Sequence, residues 1–207
     1  MLKYILQRYR KSPEFDLCYA SRDLRYKTLP ALTYHFEGAD LRLYPKSVRE
    51  TIGRTICIAV FPTSETGINI LGAFQQANHR FLFDAKQSRV SFAPEIWNER
   101  SIIMLNSKGR FSYCLPAWTA PKGTSAFLTF GNEATIKGKS QTNIPAYNIK
   151  LLGVSIGTQC LSIDPALFKL RHGPSGGFFT DSGTVFIKSA YRILRQEMVK
   201  HVIYAAL

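Results

Sequence analysis

Residues 67–94 read GINILGAFQQANHRFLFDAKQSRVSFAP. Within them HRFLFD (79–84) and RVSFAP (89–94) are two β-prone runs joined by AKQS (85–88), which predicts a β-hairpin. The same alternation recurs outward along the chain. LTYHF (32–36) and LRLYP (41–45) flank Glu37, Gly38, Ala39 and Asp40, so a second hairpin is expected around that Gly-containing turn. TICIAVF (55–61) is almost continuously apolar, as a strand buried on both faces would be. TSAFLTFG (124–131) and YNIKLLGVSIG (147–157) continue the series. Many short strands punctuated by Gly and Pro predict a mainly β chain of the sandwich or barrel kind.

One or two short helices are expected beside the strands. Residues 188–204, KSAYRILRQEMVKHVIY, place Tyr191, Leu194, Met198 and Val202 at three- to four-residue spacing. Residues 1–10, MLKYILQRYR, read as another helix, and MVKHVI near the end echoes MLKYIL at the start.

The chain has 207 residues, room for one large domain or two small ones with a buried core. No apolar run approaches the ~20 residues needed to span a bilayer. The opening MLKYILQRYRKSPEFD has no long apolar stretch followed by a small-residue cleavage site. No secretory signal is evident, so the expectation is a protein that stays inside the cell or a true N-terminus that lies upstream. The net charge of +13 admits nucleic acid, anionic membrane or acidic polysaccharide as partner. The basic residues are scattered, which reads first as a solvated cationic surface. Cys18, Cys57, Cys114 and Cys160 include no C-x-x-C pair, and His35, His79, His172 and His201 include no H-E-x-x-H. No metal site and no cofactor are expected from them.

Residues 178–186, FFTDSGTVF, end a β-prone run on Asp181, Ser182, Gly183 and Thr184 after the Gly-rich approach GPSGGFFT. A D-S-G alone is more often a strand-ending turn than a catalytic loop. It gains meaning beside RFSYCL (110–115), EFDLCYA (14–20) and the ILG-x-x-QQ-x-N of residues 70–78. Together these blocks resemble the C-terminal lobe of the plant pepsin-like aspartic proteases of the nepenthesin and chloroplast-nucleoid type. The resemblance covers nearly the whole chain. Its order is permuted, because in that family FSYCL comes first, then D-S-G-T, a helix, F-D-L-C-Y, and finally ILG…SFAP. Residues 1–98 match the back portion of the lobe and residues 110–207 the front, with 99–109 as linker, together one domain. The implied fold is a single pepsin-like lobe, circularly permuted and cut inside the helix after D-S-G-T. A tandem duplication, or a gene model joining neighbouring copies, would give this order and the terminal echo. Permutation is tolerated where the original termini lie close together, as a family disulfide from the FSYCL cysteine implies here.

The resemblance implies that Asp181 is the C-lobe catalytic aspartate, that Ser182, Gly183 and Thr184 complete its loop, and that Ile70, Leu71 and Gly72 pack around it. It implies a peptide or protein substrate and a Cys18–Cys57 disulfide. Family members are usually secreted, vacuolar or plastid. The chemistry takes two carboxylates, one as general base on a water and one, protonated, donating to the scissile carbonyl. This sequence carries one D-[ST]-G. A second acid would have to come from a homodimer with two Asp181 residues across a two-fold axis, or from a separate N-terminal lobe. The stretch after D-S-G-T is shorter than in the family, and the cysteine expected after SFAP is replaced within EIW (95–97), which leaves Cys114 without its family partner. Cys114 and Cys160 read as small buried hydrophobes, with a mutual bridge as the other option.

Three further readings stand beside the peptidase: one is a rearranged gene product without function, and two give the chain a role. Relatives in cereals act as xylanase inhibitors and have lost catalytic residues, so a binding module is one. Nucleic-acid binding is the other, from the charge and from the aromatic residues interleaved with basic ones in KYILQRYRK (3–11).

Overall fold

A computed structural model describes residues 15, 18–20, 30–63, 67–95, 109–117, 120–136, 141–143, 149–171 and 176–189. They are mainly β-sheet with one short helix. The strands in chain order are β1 (Cys18–Ala20), β2 (Leu32–Phe36), β3 (Ala39–Leu43), β4 (Arg49–Ile52), β5 (Thr55–Ile58), β6 (Val60–Pro62), β7 (Asn69–Gly72), β8 (His79–Asp84), β9 (Arg89–Pro94), β10 (Arg110–Cys114), β11 (Phe127–Phe130), β12 (Gln141–Asn143), β13 (Leu151–Ile156), β14 (Gln159–Cys160), β15 (Phe178–Asp181) and β16 (Ile187–Ser189). The helix, α1, is Ala73–Gln76.

Both hairpins form. β8 and β9 pair from His79↔Pro94 to Asp84↔Arg89. Their turn is held by the Gln87 N–H donating to Asp84 Oδ1 at 3.0 Å. β2 and β3 pair from Leu32↔Leu43 to Phe36↔Ala39, so the turn is tighter than its sequence suggests and Ala39 and Asp40 belong to the strand. Gly38, at φ +88°, supplies the left-handed step that closes it. The run TICIAVF is two strands, not one. It breaks at Ala59, whose N–H donates to Val48 O at 2.9 Å and whose carbonyl accepts from Gln75 Nε2 at 2.9 Å. Those bonds send β5 into one sheet and β6 into another.

Four sheets result among the described residues, ordered β1-β5-β4, β11-β10-β8-β9-β12, β14-β13-β2-β3 and β15-β7-β16-β6. Three of them take strands from both sides of residues 96–108. β9 and β10 flank β8, both antiparallel to it. They therefore run in the same direction, with Glu95 at the Cys114 end of β10 and Arg110 at the other.

The main core draws side chains from all four sheets. Tyr34, Phe36, Phe81, Phe92 and Phe178 are all buried in it. A smaller cluster gathers Phe15, Cys18, Cys57, Ala59 and Phe74, with Phe61 and Phe186 packed against it.

The helix expected over 188–204 is corrected at its start. Lys188 and Ser189 are in β16, because the chain has to pass between β6 and β7 before it can turn. The rest of that segment, the helix expected over 1–10 and linker residues 99–108 lie outside the described residues. No helix among the described residues is long and apolar enough to cross a membrane.

Candidate active site

β15 runs parallel to β7, with Phe178↔Asn69, Phe179↔Ile70, Thr180↔Leu71 and Asp181↔Gly72 in register. On the other side of β7 lies β16, with Lys188 opposite Ile70. Residues 182–186 must therefore pass over the end of β7, which is Gly72. A Cβ on Gly72 would sit 2.7 Å from Thr184 O and from the carbonyl carbon and oxygen of Phe186. Only a glycine leaves space for that crossing. Leu71 beside it is buried and Ile70 is half-buried.

The crossing loop is sewn down by hydrogen bonds. Ala73 N–H donates to Thr184 O at 2.7 Å and Phe74 N–H to Val185 O at 2.8 Å. These are first-turn amides of α1, which have no partner inside the helix. Asp181 is held by its own loop: Gly183 N–H donates to Oδ1 at 2.8 Å and Thr184 Oγ1 to Oδ2 at 2.6 Å. Asp181, Ser182 and Gly183 are exposed, and Thr184 is half-buried. The structure thus brings Asp181, Ser182, Gly183, Thr184 and Ile70–Gly72 into one place.

Replacing Gly72 by alanine is expected to destabilise by about 3 kcal/mol, the upper part of the overpacking range, because the obstacles are backbone atoms. Urea unfolding measures it, and a wild-type midpoint would show that the loop yields freely.

Three residues to which the sequence reading gave no role support the site. Gln75 and Gln76 are fully buried on α1. Gln75 reaches Ala59 O, while Gln76 Nε2 donates to Leu71 O at 2.7 Å and its Oε1 accepts from the Tyr113 hydroxyl. Gln76 so ties the loop's sheet to β10. Asn69 Nδ2 donates to Gly177 O at 2.9 Å, anchoring the start of β15. The available signal was the pair of amides inside an apolar run, since buried amides need partners.

Cys18 and Cys57 form a disulfide across β1 and β5, where they are directly opposite. Cys114 and Cys160 are free thiols, so no bridge joins them. Cys114 is buried as expected, and burial pushes its thiol up to about 11. Cys160 is exposed, contrary to the buried position expected, because the two-residue strand β14 is a sheet edge. Glu95 makes a two-pronged ion pair with Arg80, one arm at 2.7 Å. No group of three or more His, Cys, Asp or Glu able to hold a metal ion occurs among the described residues.

Sequence comparison with known proteins relates parts of the chain to two groups of relatives. Residues 2–94 match the family described as xylanase inhibitor C-terminal. Aspartic proteinase nepenthesin-1 of Nepenthes gracilis is 32% identical over 104 residues, 45% of this chain and 24% of its own. Aspartyl protease AED1 of Arabidopsis thaliana is 29% identical over 117 residues, 54% of this chain and 24% of its own. The chain spans about a quarter of the length of these relatives. No solved structure matches it significantly. The chain is a distant homologue of the pepsin-like aspartic proteases. The segment matched to the xylanase-inhibitor family holds Cys18, Cys57 and Gly72 and stops short of Asp181.

Proposed function

We propose that this chain is one pepsin-like lobe in permuted order that works by binding a protein partner, and that a single copy does not cut peptide bonds. The match of residues 2–94 to the xylanase-inhibitor family carries this reading and makes a xylanase-class glycosidase the first partner to try. The permuted order is supported by the mixing of strands from residues 1–98 and 110–207 in three sheets. It is supported also by the approach of the Asp181 loop to Gly72. The chemistry argues in the same direction. Two carboxylates sharing a proton divide the acid and base roles, and the sequence offers one D-[ST]-G.

A second reading is favoured by the geometry of Asp181 itself. Both of its carboxylate oxygens are held by loop donors, as an acid oriented for catalysis requires. Bringing in a second carboxylate, from another copy about a two-fold axis or from a separate N-terminal lobe, would complete a peptidase site.

One preparation tests both. The first reading expects inhibition or co-purification of a xylanase, and no pepstatin-sensitive cleavage at about pH 3–5 at any protein concentration. Cleavage that rises with the square of concentration and is lost in Asp181→Asn would establish the second. Cleavage by a strictly monomeric preparation, lost in the same variant, would overturn both.

A further inference from the structure

The outer face of the sheet β14-β13-β2-β3 carries a constellation that the peptidase chemistry does not use. Along β2 the side chains of Leu32, Tyr34 and Phe36 enter the core, which turns His35 outward. The tight turn at Gly38 brings Asp40 directly opposite His35. On the other side of β2 an irregularity in β13 inserts one residue, Leu152, between Leu151↔Phe36 and Gly153↔His35. A one-residue shift moves every later side chain to the other face. Without it Ser155 would lie opposite Leu32 and face the core; with it Ser155 lies opposite Thr33, on the His35 face. Gly153, directly across from His35, has no side chain, so the imidazole can lean to the diagonal neighbour.

The result is a relay of three groups. His35 Nε2 is 2.7 Å from Ser155 Oγ, and His35 Nδ1 is 2.9 Å from Asp40 Oδ1. A carboxylate only accepts, so the hydrogen of the neutral imidazole sits on Nδ1 and Nε2 accepts from the serine hydroxyl. Nucleophile, base and orienting acid stand in hydrogen-bond reach in that order, the arrangement that activates a serine.

We propose that Ser155 is a reactive nucleophile with His35 as its general base and Asp40 as the positioning residue, and that the site takes small activated esters or phosphonyl groups. Ser155 is 8% exposed, while the side chains of His35 and Asp40 are 32% and 62% exposed. The reacting group must therefore be small, and exposed Leu152 offers an apolar flank one residue from Gly153. With an ester, Ser155 Oγ bonds to the carbonyl carbon as the bond to the alkoxide breaks. The hydroxyl proton passes to Nε2 and from there to the departing alkoxide. Water then attacks the acyl-serine by the same route and releases the acid.

The test treats the full chain with an alkyl fluorophosphonate, where Oγ bonds to phosphorus and fluoride leaves, and locates the adduct by peptide mass mapping. One adduct on Ser155 is expected. Its rate should fall about 100-fold or more in His35→Gln, the usual contribution of a general base. The rate should also fall in Asp40→Asn and recover in part in Asp40→Glu. Thermal unfolding of each variant separates loss of the base from loss of the fold. Absence of an adduct on Ser155, or an equal rate in folded His35→Gln, would overturn the proposal and leave the three groups as a structural hydrogen-bond network.

Discussion

Phe178→Ala is expected to lower the unfolding free energy by about 3–5 kcal/mol, the usual cost of emptying a buried phenylalanine site. Phe178 is fully buried, its ring centre 5.4 Å from those of both Tyr34 and Phe36. Those rings lie on β2, in a different sheet, so the side chain joins two sheets at their meeting point. Its backbone is tied down as well: its carbonyl accepts from Ile149 N–H at 2.6 Å, and it pairs with Asn69. The walls cannot close on the space left, since they belong to strands in fixed register. Phe178 also begins the strand that ends on Asp181, so the site should lose definition together with stability. Urea unfolding reads the effect as a lower midpoint at unchanged slope. Against the 5–15 kcal/mol of an ordinary domain, the loss is a large fraction. A shift below 1 kcal/mol would mean that β15 does not help hold the sheets together.

Removing the Cys18–Cys57 disulfide is expected to cost about 4 kcal/mol. That is the chain-entropy value for a loop of this size, the two cysteines being 39 positions apart. The bridge also sits in the small apolar cluster where Phe186, the last residue of the crossing loop, meets Phe15, Phe61 and Phe74 at ring separations of 5.3, 5.1 and 5.4 Å. Its loss should therefore loosen the D-S-G-T loop as well as widen the unfolded ensemble. The comparison is between oxidised protein and the Cys18→Ala/Cys57→Ala variant in urea, with reductant added to each. The wild type should become less stable on reduction and the variant should not respond. Equal stability of all four samples would show that the 39-residue connection gains nothing from being closed.

Much of this was open to a reading of the chain alone, for an identifiable reason. The hairpin at residues 79–94 is a local pattern: two alternating runs around a short polar turn, with partners within fifteen positions of one another. The Asp181 loop was legible through resemblance, because a glycine is required wherever two backbones cross at contact distance. TICIAVF misled for a complementary reason. Continuous apolar character reports burial, and burial does not say which sheet a residue joins; Ala59 breaks the run because distant Val48 and Gln75 bond to it. Lys188 and Ser189 followed a helical pattern but were taken up between β6 and β7.

The amino-acid order by itself determined the strand-rich character, the hairpins and, through the family resemblance, the cysteine pair. These depend on alternation, turn residues and short motifs, which are written within a few positions of each other. Tertiary structure alone decided the placement of Gly72 under the loop, the amide anchors Gln75 and Gln76, and the meeting of His35 with Ser155 across 120 positions. That last contact hangs on a single inserted residue in β13. Side chains alternate with a period of two, so only the pairing of distant strands can say which face a serine occupies.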